Sequence, residues 1–184
     1  QGGPGDGPAA EGRHEVIHGS FADVPVANGQ VAATIGNVPF GAYRLFDQTD
    51  NPGRRLSIHD HFLAKSARAL APGGIGVMVT SRYTMDAIDP AGREAIGAHA
   101  DFVGAVRLPS AAHVQEAGCE VVTDIIVLRG RAAGTVASHG SGFTQPAPTD
   151  IDGVRMSQYF VDNPGQVLGQ VTSRTGRYST PKMH

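Results

Sequence analysis

Short apolar runs alternate with stretches of helical spacing along the chain, and that order predicts the fold. Residues 15–18 (EVIH) form a short strand candidate closed by Gly19-Ser20, and residues 31–36 (VAATIG) form a second, buried one stopped by Asn37-Val38-Pro39. A polar, glycine-bearing loop follows over roughly 41–56. Ser57 reads as an N-cap with Asp60 in the first turn, where the helix dipole favours an acid. Ile58, Phe62, Ala69 and Leu70, with Leu63 beside them, recur at helical spacing, so this helix is expected to bury one face. Pro72-Gly73-Gly74 is expected to terminate it. Residues 75–80 (IGVMVT) are apolar enough for a strand covered on both faces. Pro90 opens a helix over about 90–99, and 102–108 (FVGAVRL) and 121–128 (VVTDIIVL) are two further strands. Strand, strand, helix, strand, helix, strand is the order of a parallel α/β sheet with crossover helices.

The flanks read differently. Residues 1–13 (QGGPGDGPAAEGR) lack periodicity and are expected to be a flexible tail. The stretch 132–150 is rich in Gly, Ala, Ser, Thr and Pro and reads as a linker. A short helix is expected around 154–162, and 170–184 is polar. This gives a core over 14–131 followed by a linker, a short helix and a disordered end over 132–184. There is no internal repeat.

Composition narrows the function classes. A length of 184 residues allows one domain with a real core. A net charge of −2 gives no bulk signal for polyanion binding, although a local basic face stays open. Cys119 is the only cysteine, so an intramolecular disulfide is impossible, and a reducing, cytoplasmic setting fits. No apolar run reaches 18 residues, and neither a membrane helix nor a signal peptide is expected. The chain begins with Gln rather than Met and reads as an excised piece of a longer protein.

The chemistry is concentrated at the end of the strand 31–36. Open parallel sheets bind ligands at the carboxyl ends of their strands. Pro39 fixes its own φ and holds Val38 extended. The Asn37 side-chain oxygen and the Val38 carbonyl can then point the same way, and two acceptors can hold an exocyclic amine by its two hydrogens. The lone pair of that amine is thereby freed for attack on an electrophilic methyl group. Phe40 offers a flat face for a base lifted out of a duplex.

Asn-x-Pro-Phe after a buried strand resembles the catalytic motif of amino-group methyltransferases, Asn-Pro-Pro-Tyr/Phe. The strings IGNVPFGAYRLFD, SIHDHFLAKSARALAPGGIGVMVTSRYTMD, VGAVRLPSAAH, CEVVTDIIVLRGR and YFVDNPGQVLG are similar, in order, to the adenine-specific DNA methylase half of large helicase–methyltransferase proteins of phages, plasmids and integrative elements. The resemblance spans roughly 15–170. It implies a Rossmann-like, S-adenosylmethionine-dependent fold, present in part, with a mostly parallel sheet and a C-terminal antiparallel strand. It implies methylation of the adenine N6 amine in DNA, with a helicase domain in the same polypeptide. In HGSFAD it assigns Ser20 and Phe21 to the cofactor's adenine. An acid is usual where Ser20 stands, so that contact has lost its charge. The glycine-rich loop that holds the methionine part of the cofactor should precede residue 15; Gly2-Gly3-Pro4-Gly5 follows no strand and lies too close to Ser20 to be that loop.

Other polar residues have weaker claims. His59, Asp60 and His61 look like metal ligands, but neighbours two apart on a helix point to different sides, so capping and surface roles are expected and no metal. Asp124 sits inside an apolar strand, either as a strand-end contact or facing the cofactor cleft. Arg82, Arg107, Arg129 and Arg131 are candidates for phosphate contacts; Arg82 is the best placed, just past the strand 75–80, and Arg107 is retained with it. Cys119 has no basic partner in sequence and reads as a small buried residue. Two readings compete with DNA adenine methylation: a non-catalytic remnant or DNA-binding scaffold, and the same chemistry on RNA adenine, cytosine N4 or a protein glutamine.

Overall fold

The computed structural model describes residues 15–113, 121–138, 143–144, 149–151, 153–169 and 171. Strand β1 (Val31–Asn37) leads through a long loop to helix α1 (Ile58–Ala69), strand β2 (Leu70–Ser81), the single turn α2 (Tyr83–Asp86) and helix α3 (Ala91–Gly97). Strands β3 (Ala100–Leu108) and β4 (Thr123–Gly130) follow, then a hairpin of β5 (Thr149–Ile151) and β6 (Val154–Met156) and the short helix α4 (Gln158–Asp162). The main sheet has the order β1-β2-β4-β3. β1 and β2 are parallel, and β4 runs antiparallel to both β2 and β3. Three strands therefore share one direction, and the last strand is inserted against them. This is the mixed α/β sheet expected.

Helix α1 starts where its sequence says. The Ser57 hydroxyl accepts the Asp60 amide at 3.2 Å and donates to the Asp60 carboxylate at 2.7 Å, a reciprocal cap. Ile58, Leu63, Ala64, Ala67 and Ala69 are buried, but so are His59, His61, Lys65 and Ser66. The helix is thus covered on more than the one face predicted, because the loop before it folds back over its polar side. It ends at Ala69, ahead of Pro72-Gly73-Gly74. Leu70 is already extended and pairs with Val31, and the residue before a proline disfavours helix. The Pro-Gly-Gly segment lies inside β2, at an irregularity between the Val31 and Ala33 pairings. Gly73 takes φ +79° there, and a Cβ on Gly74 would sit 2.9 Å from the carbonyls of Val31 and Ala32.

The sheet buries one face. Met78, Ile126, Leu128, Phe102 and Ala105 lie there in register and join Leu63, Ala67 and Ile96 in one core. Each fully buried large side chain contributes about 1.5–3 kcal/mol. The opposite face is only partly covered: Ile35 is 83% exposed, Ile75 42% and Val103 57%. The expectation that 75–80 is covered on both faces therefore holds for one of them.

Two further elements differ from the sequence reading. Residues 15–18 are not a strand; among the described residues they pair with nothing, and Val16 and Ile17 are exposed. Residues 154–156 are a strand, and the helix begins only at Gln158. The stretch predicted to be a linker contributes to the core, because buried Phe143 stacks on Phe102 at 4.4 Å with the rings 6° apart. The segment after α4 runs along the outer edge of β3, where the Leu168 amide donates to the Arg107 carbonyl at 2.9 Å. It covers an edge that would otherwise be open. The tails 1–13 and 172–184, and Cys119, lie outside the described residues.

Candidate functional site

Asn37 ends β1 in register with Val79, and the Val38 amide extends the ladder by donating to the Val79 carbonyl at 3.0 Å. The Val38 side chain is buried, and this anchors the turn. Asn37 itself is exposed. Among the described residues, neither its side-chain amide nor the Val38 carbonyl is engaged in a hydrogen bond. Two acceptors therefore stand free at the carboxyl end of a parallel strand. Phe40, 38% exposed, lines a cavity of about 480 Å³. Its walls come from the loop after β1 (Gly41, Ala42, Arg44), the first turn of α1 (Ser57, His59, Asp60), the end of β2 (Ser81, Tyr83, Ala87) and the approach to β4 (Val121, Val122, Thr123). Position alone makes Phe40 a wall of this cavity. The contributions of Arg44, His59 and Tyr83 were not legible in the sequence.

The three residues His59, Asp60 and His61 separate in space. Asp60 caps the helix with Ser57. His59 lines the cavity. His61 is fully buried and bonds through Nε2 to the Asp47 carboxylate at 3.0 Å. The same Asp47 oxygen accepts from Lys65 Nζ at 2.9 Å, and Lys65 also donates to the carbonyls of Phe21 (2.7 Å) and Ala22 (3.1 Å). Burial pushes the Asp47 carboxyl up, but hydrogen bonds from Lys65, the Asp50 and Thr49 amides and His61 outweigh it and hold the group well below the usual carboxylate range. A carboxyl depressed in the folded state contributes stability above its unfolded pKa and loses it as pH falls toward the folded value. Unfolding free energy is therefore expected to drop below about pH 4, and Asp47→Asn should flatten that limb. Denaturant titrations of both proteins across the acid range check this.

Lys65 thus fixes the loop that carries Ser20 and Phe21. The Ser20 hydroxyl accepts the Ala22 amide at 3.3 Å in an exposed turn. The Phe21 ring packs on Phe62 at 4.6 Å, with the Lys65 ammonium 5.0 Å from its centre. This loop docks beside Phe62 and Lys65, beyond the first turn of α1 that borders the Phe40 cavity, and neither Ser20 nor Phe21 lines that cavity. A second cavity, of about 440 Å³, lies beside this loop and is lined by Ala22 and Asp23 together with Asp47, Asp50, Lys65 and Arg68.

The arginines also sort themselves. Arg107 is 1% exposed, and its guanidinium is held by two carboxylates: Asp124 at 2.7 and 2.8 Å and Asp86 at 2.9 Å. It also lies 4.3 Å over the Phe160 ring. Burial works against its charge, but Asp124 and Asp86 raise its pKa above the ordinary value. Arg107 is therefore a core ion-pair centre and not a contact for DNA, and it settles Asp124 as its partner. Arg131 is taken up by Asp101 at 2.8 Å, and Arg129 lies 3.6 Å from Asp101. Arg82 keeps a side chain 19% exposed, paired with Asp86 at 3.4 Å and lying over Tyr83. Among the described residues no cluster of three or more His, Cys, Asp or Glu could hold a metal, and no helix is long and apolar enough to cross a membrane.

No family model matches this sequence, and no curated relative does. Solved structures resemble it at low identity. A class I S-adenosylmethionine-dependent methyltransferase candidate from Listeria monocytogenes is 14% identical, with a TM-score of 0.46, over 64% of this chain and 37% of its own. The M protein of the type I restriction enzyme EcoKI is 14% identical with a TM-score of 0.46, over 58% and 22%. A DNA modification methylase candidate from Thermus thermophilus, complexed with S-adenosylmethionine, is 17% identical with a TM-score of 0.35, over 64% and 54%. The chain spans about a third of the first of these and about a fifth of the second. Identities and scores this low assign neither activity nor substrate.

Proposed function

We propose that this domain is the acceptor-binding part of a DNA methyltransferase that modifies the N6 amine of adenine. The observation that carries the reading is the pair of free acceptors, Asn37 and the Val38 carbonyl, at the end of β1, in the turn that leads into Phe40 and its cavity; neither Asn37 nor Val38 is itself a wall of that cavity. Asn37 and Val38 hold the two amine hydrogens, and Pro39 keeps the turn extended. Phe40 stacks the flipped base, and Tyr83 stands on the same cavity as a second aromatic wall. Positioning of this kind supplies much of the rate and needs no strong general base. The sequence resemblance points to S-adenosylmethionine as the source of an electrophilic methyl group. It also points to DNA as partner and to a helicase domain in the same polypeptide. Arg82, between the cavity residues Ser81 and Tyr83, is the candidate for a backbone phosphate.

Product analysis tests this. The natural full-length polypeptide, incubated with DNA and S-adenosylmethionine, is expected to yield N6-methyladenine on digestion to nucleosides. N4-methylcytosine instead would overturn the adenine assignment. The second reading, a non-catalytic remnant, is favoured by the placement of Ser20 and Phe21 away from the Phe40 cavity, and it predicts no methylated base in the same assay.

A further inference from the structure

His59 is the feature of this cavity that the reading above leaves unused. It is 7% exposed and stands in the first turn of α1, on the same cavity as Phe40. Among the described residues neither ring nitrogen makes a hydrogen bond. Nδ1 is closed off from solvent without a partner, and Nε2, the ring nitrogen that keeps accessible surface and can meet an occupant of the cavity, lies 3.9 Å from the Asp60 carboxylate, too far to bond. Of the other polar groups nearby, Ser57 and Asp60 Oδ2 cap the helix and the Ser81 hydroxyl accepts the Tyr83 amide, while Asp60 Oδ1, like His59, is without a hydrogen-bond partner among the described residues. A buried nitrogen left unpaired is costly, and in a folded protein it calls for an explanation. Burial, opposed by the neighbouring Asp60, holds the imidazole below its ordinary pKa. It is then a neutral ring with one N–H to donate and one bare nitrogen. A neutral donor beside aromatic walls suits a planar, uncharged heterocycle.

We propose that His59 reads the edge of the base held in the Phe40 cavity, donating a hydrogen bond to the ring nitrogen that flanks the amine. This rests on the reading of that cavity as a base pocket. A base pocket held only by stacking accepts any base. Adding a donor to a ring nitrogen makes the pocket specific for bases with an unprotonated nitrogen next to an amine, because a base lacking that acceptor leaves the buried His59 donor unpaired.

The test is binding of this chain to a labelled short oligodeoxyadenylate, followed by fluorescence anisotropy at fixed salt, against the same strand built with 1-deaza- or 7-deaza-adenine. The expected result is that one of the two replacements weakens binding on the order of tenfold. His59→Leu is expected to bind the parent strand that much more weakly and to show no further loss on replacement, with His59→Gln restoring part of the discrimination. If neither analogue weakens binding while Phe40→Ala does, the inference about His59 is overturned and the base pocket stands. Discrimination that survives in His59→Leu also overturns it. If Phe40→Ala binds as tightly as the natural chain, the base is not in this cavity and both readings fall.

Discussion

Arg107→Leu is expected to cost about 3–5 kcal/mol of folding stability, read as a shift in denaturant midpoint with little change in slope. The magnitude follows from what the side chain holds. Its guanidinium grips Asp124 on the neighbouring strand through two bonds and reaches Asp86 in α2. Asp86 in turn accepts the Ser157 amide at the start of α4, and Phe160 of that helix lies against the guanidinium. One residue thus ties β3, β4, α2 and α4 together. Removing it leaves Asp124, which is fully buried, without its counter-charge. Asp86 suffers less, because Arg82 and the Ser157 amide remain. Replacing Asp124 by Leu in the same protein should therefore recover much of the loss, since a buried pair exchanged for apolar residues is often neutral. Arg107→Lys should recover little, because an ammonium cannot serve two carboxylates with a planar fork. A loss under about 1 kcal/mol in Arg107→Leu, the size of an exposed pair, would show that the network is not closed as described.

Arg107 also illustrates which parts of the molecule were legible from sequence. The four strands of the main sheet and α1 announced themselves because their signals are local: apolar runs of strand length, a Ser-x-x-Asp cap, a proline opening α3. Those signals gave β1 to within a residue, and α1 and β3 to within about two. They could not decide whether the arginine in an apolar strand faced solvent or a carboxylate, since Asp124 is brought to it by strand pairing and Asp86 by the docking of α2. The same holds for Lys65. It sits at helical spacing like a solvated residue, yet the loop 20–23 and Asp47 converge on it from distant parts of the chain. Residues 15–18 failed for the opposite reason. They have strand-like composition, but a strand exists only with a partner, and none of the described residues supplies one. At the site, Asn37 to Phe40 was readable because proline and strand-end geometry act locally. His59, Arg44 and Tyr83 were not, because a cavity wall is a tertiary object.

Asn37→Ala is the substitution on which the functional reading turns. In the natural full-length polypeptide it is expected to lower kcat for DNA methylation on the order of 10²–10³-fold, the effect of removing one preorganised hydrogen-bonding group from a transition state. The fall should lie in kcat more than in KM. Phe40 still stacks the base, so ground-state binding is retained while the amine loses one of its two acceptors. Unfolding cannot imitate this result. Asn37 is exposed and its side chain bonds to nothing among the described residues, so truncation should change stability by no more than about 0.5 kcal/mol. Asn37→Asp sharpens the argument, since it keeps an acceptor oxygen and removes the amide nitrogen. If the oxygen does the holding, the aspartate variant should retain more activity than the alanine variant. If both are equally inactive, the amide nitrogen is required and the acceptor assignment is wrong. Undiminished methylation by Asn37→Ala would remove the chemistry from this strand end altogether. The Val38 position enters the same logic through its backbone. Its carbonyl survives any side-chain change, and the buried valine serves to fix where that carbonyl points. Val38→Ala should therefore cost stability, about 1–2.5 kcal/mol for a buried methyl pair, while activity per folded molecule stays within a few-fold of the natural protein.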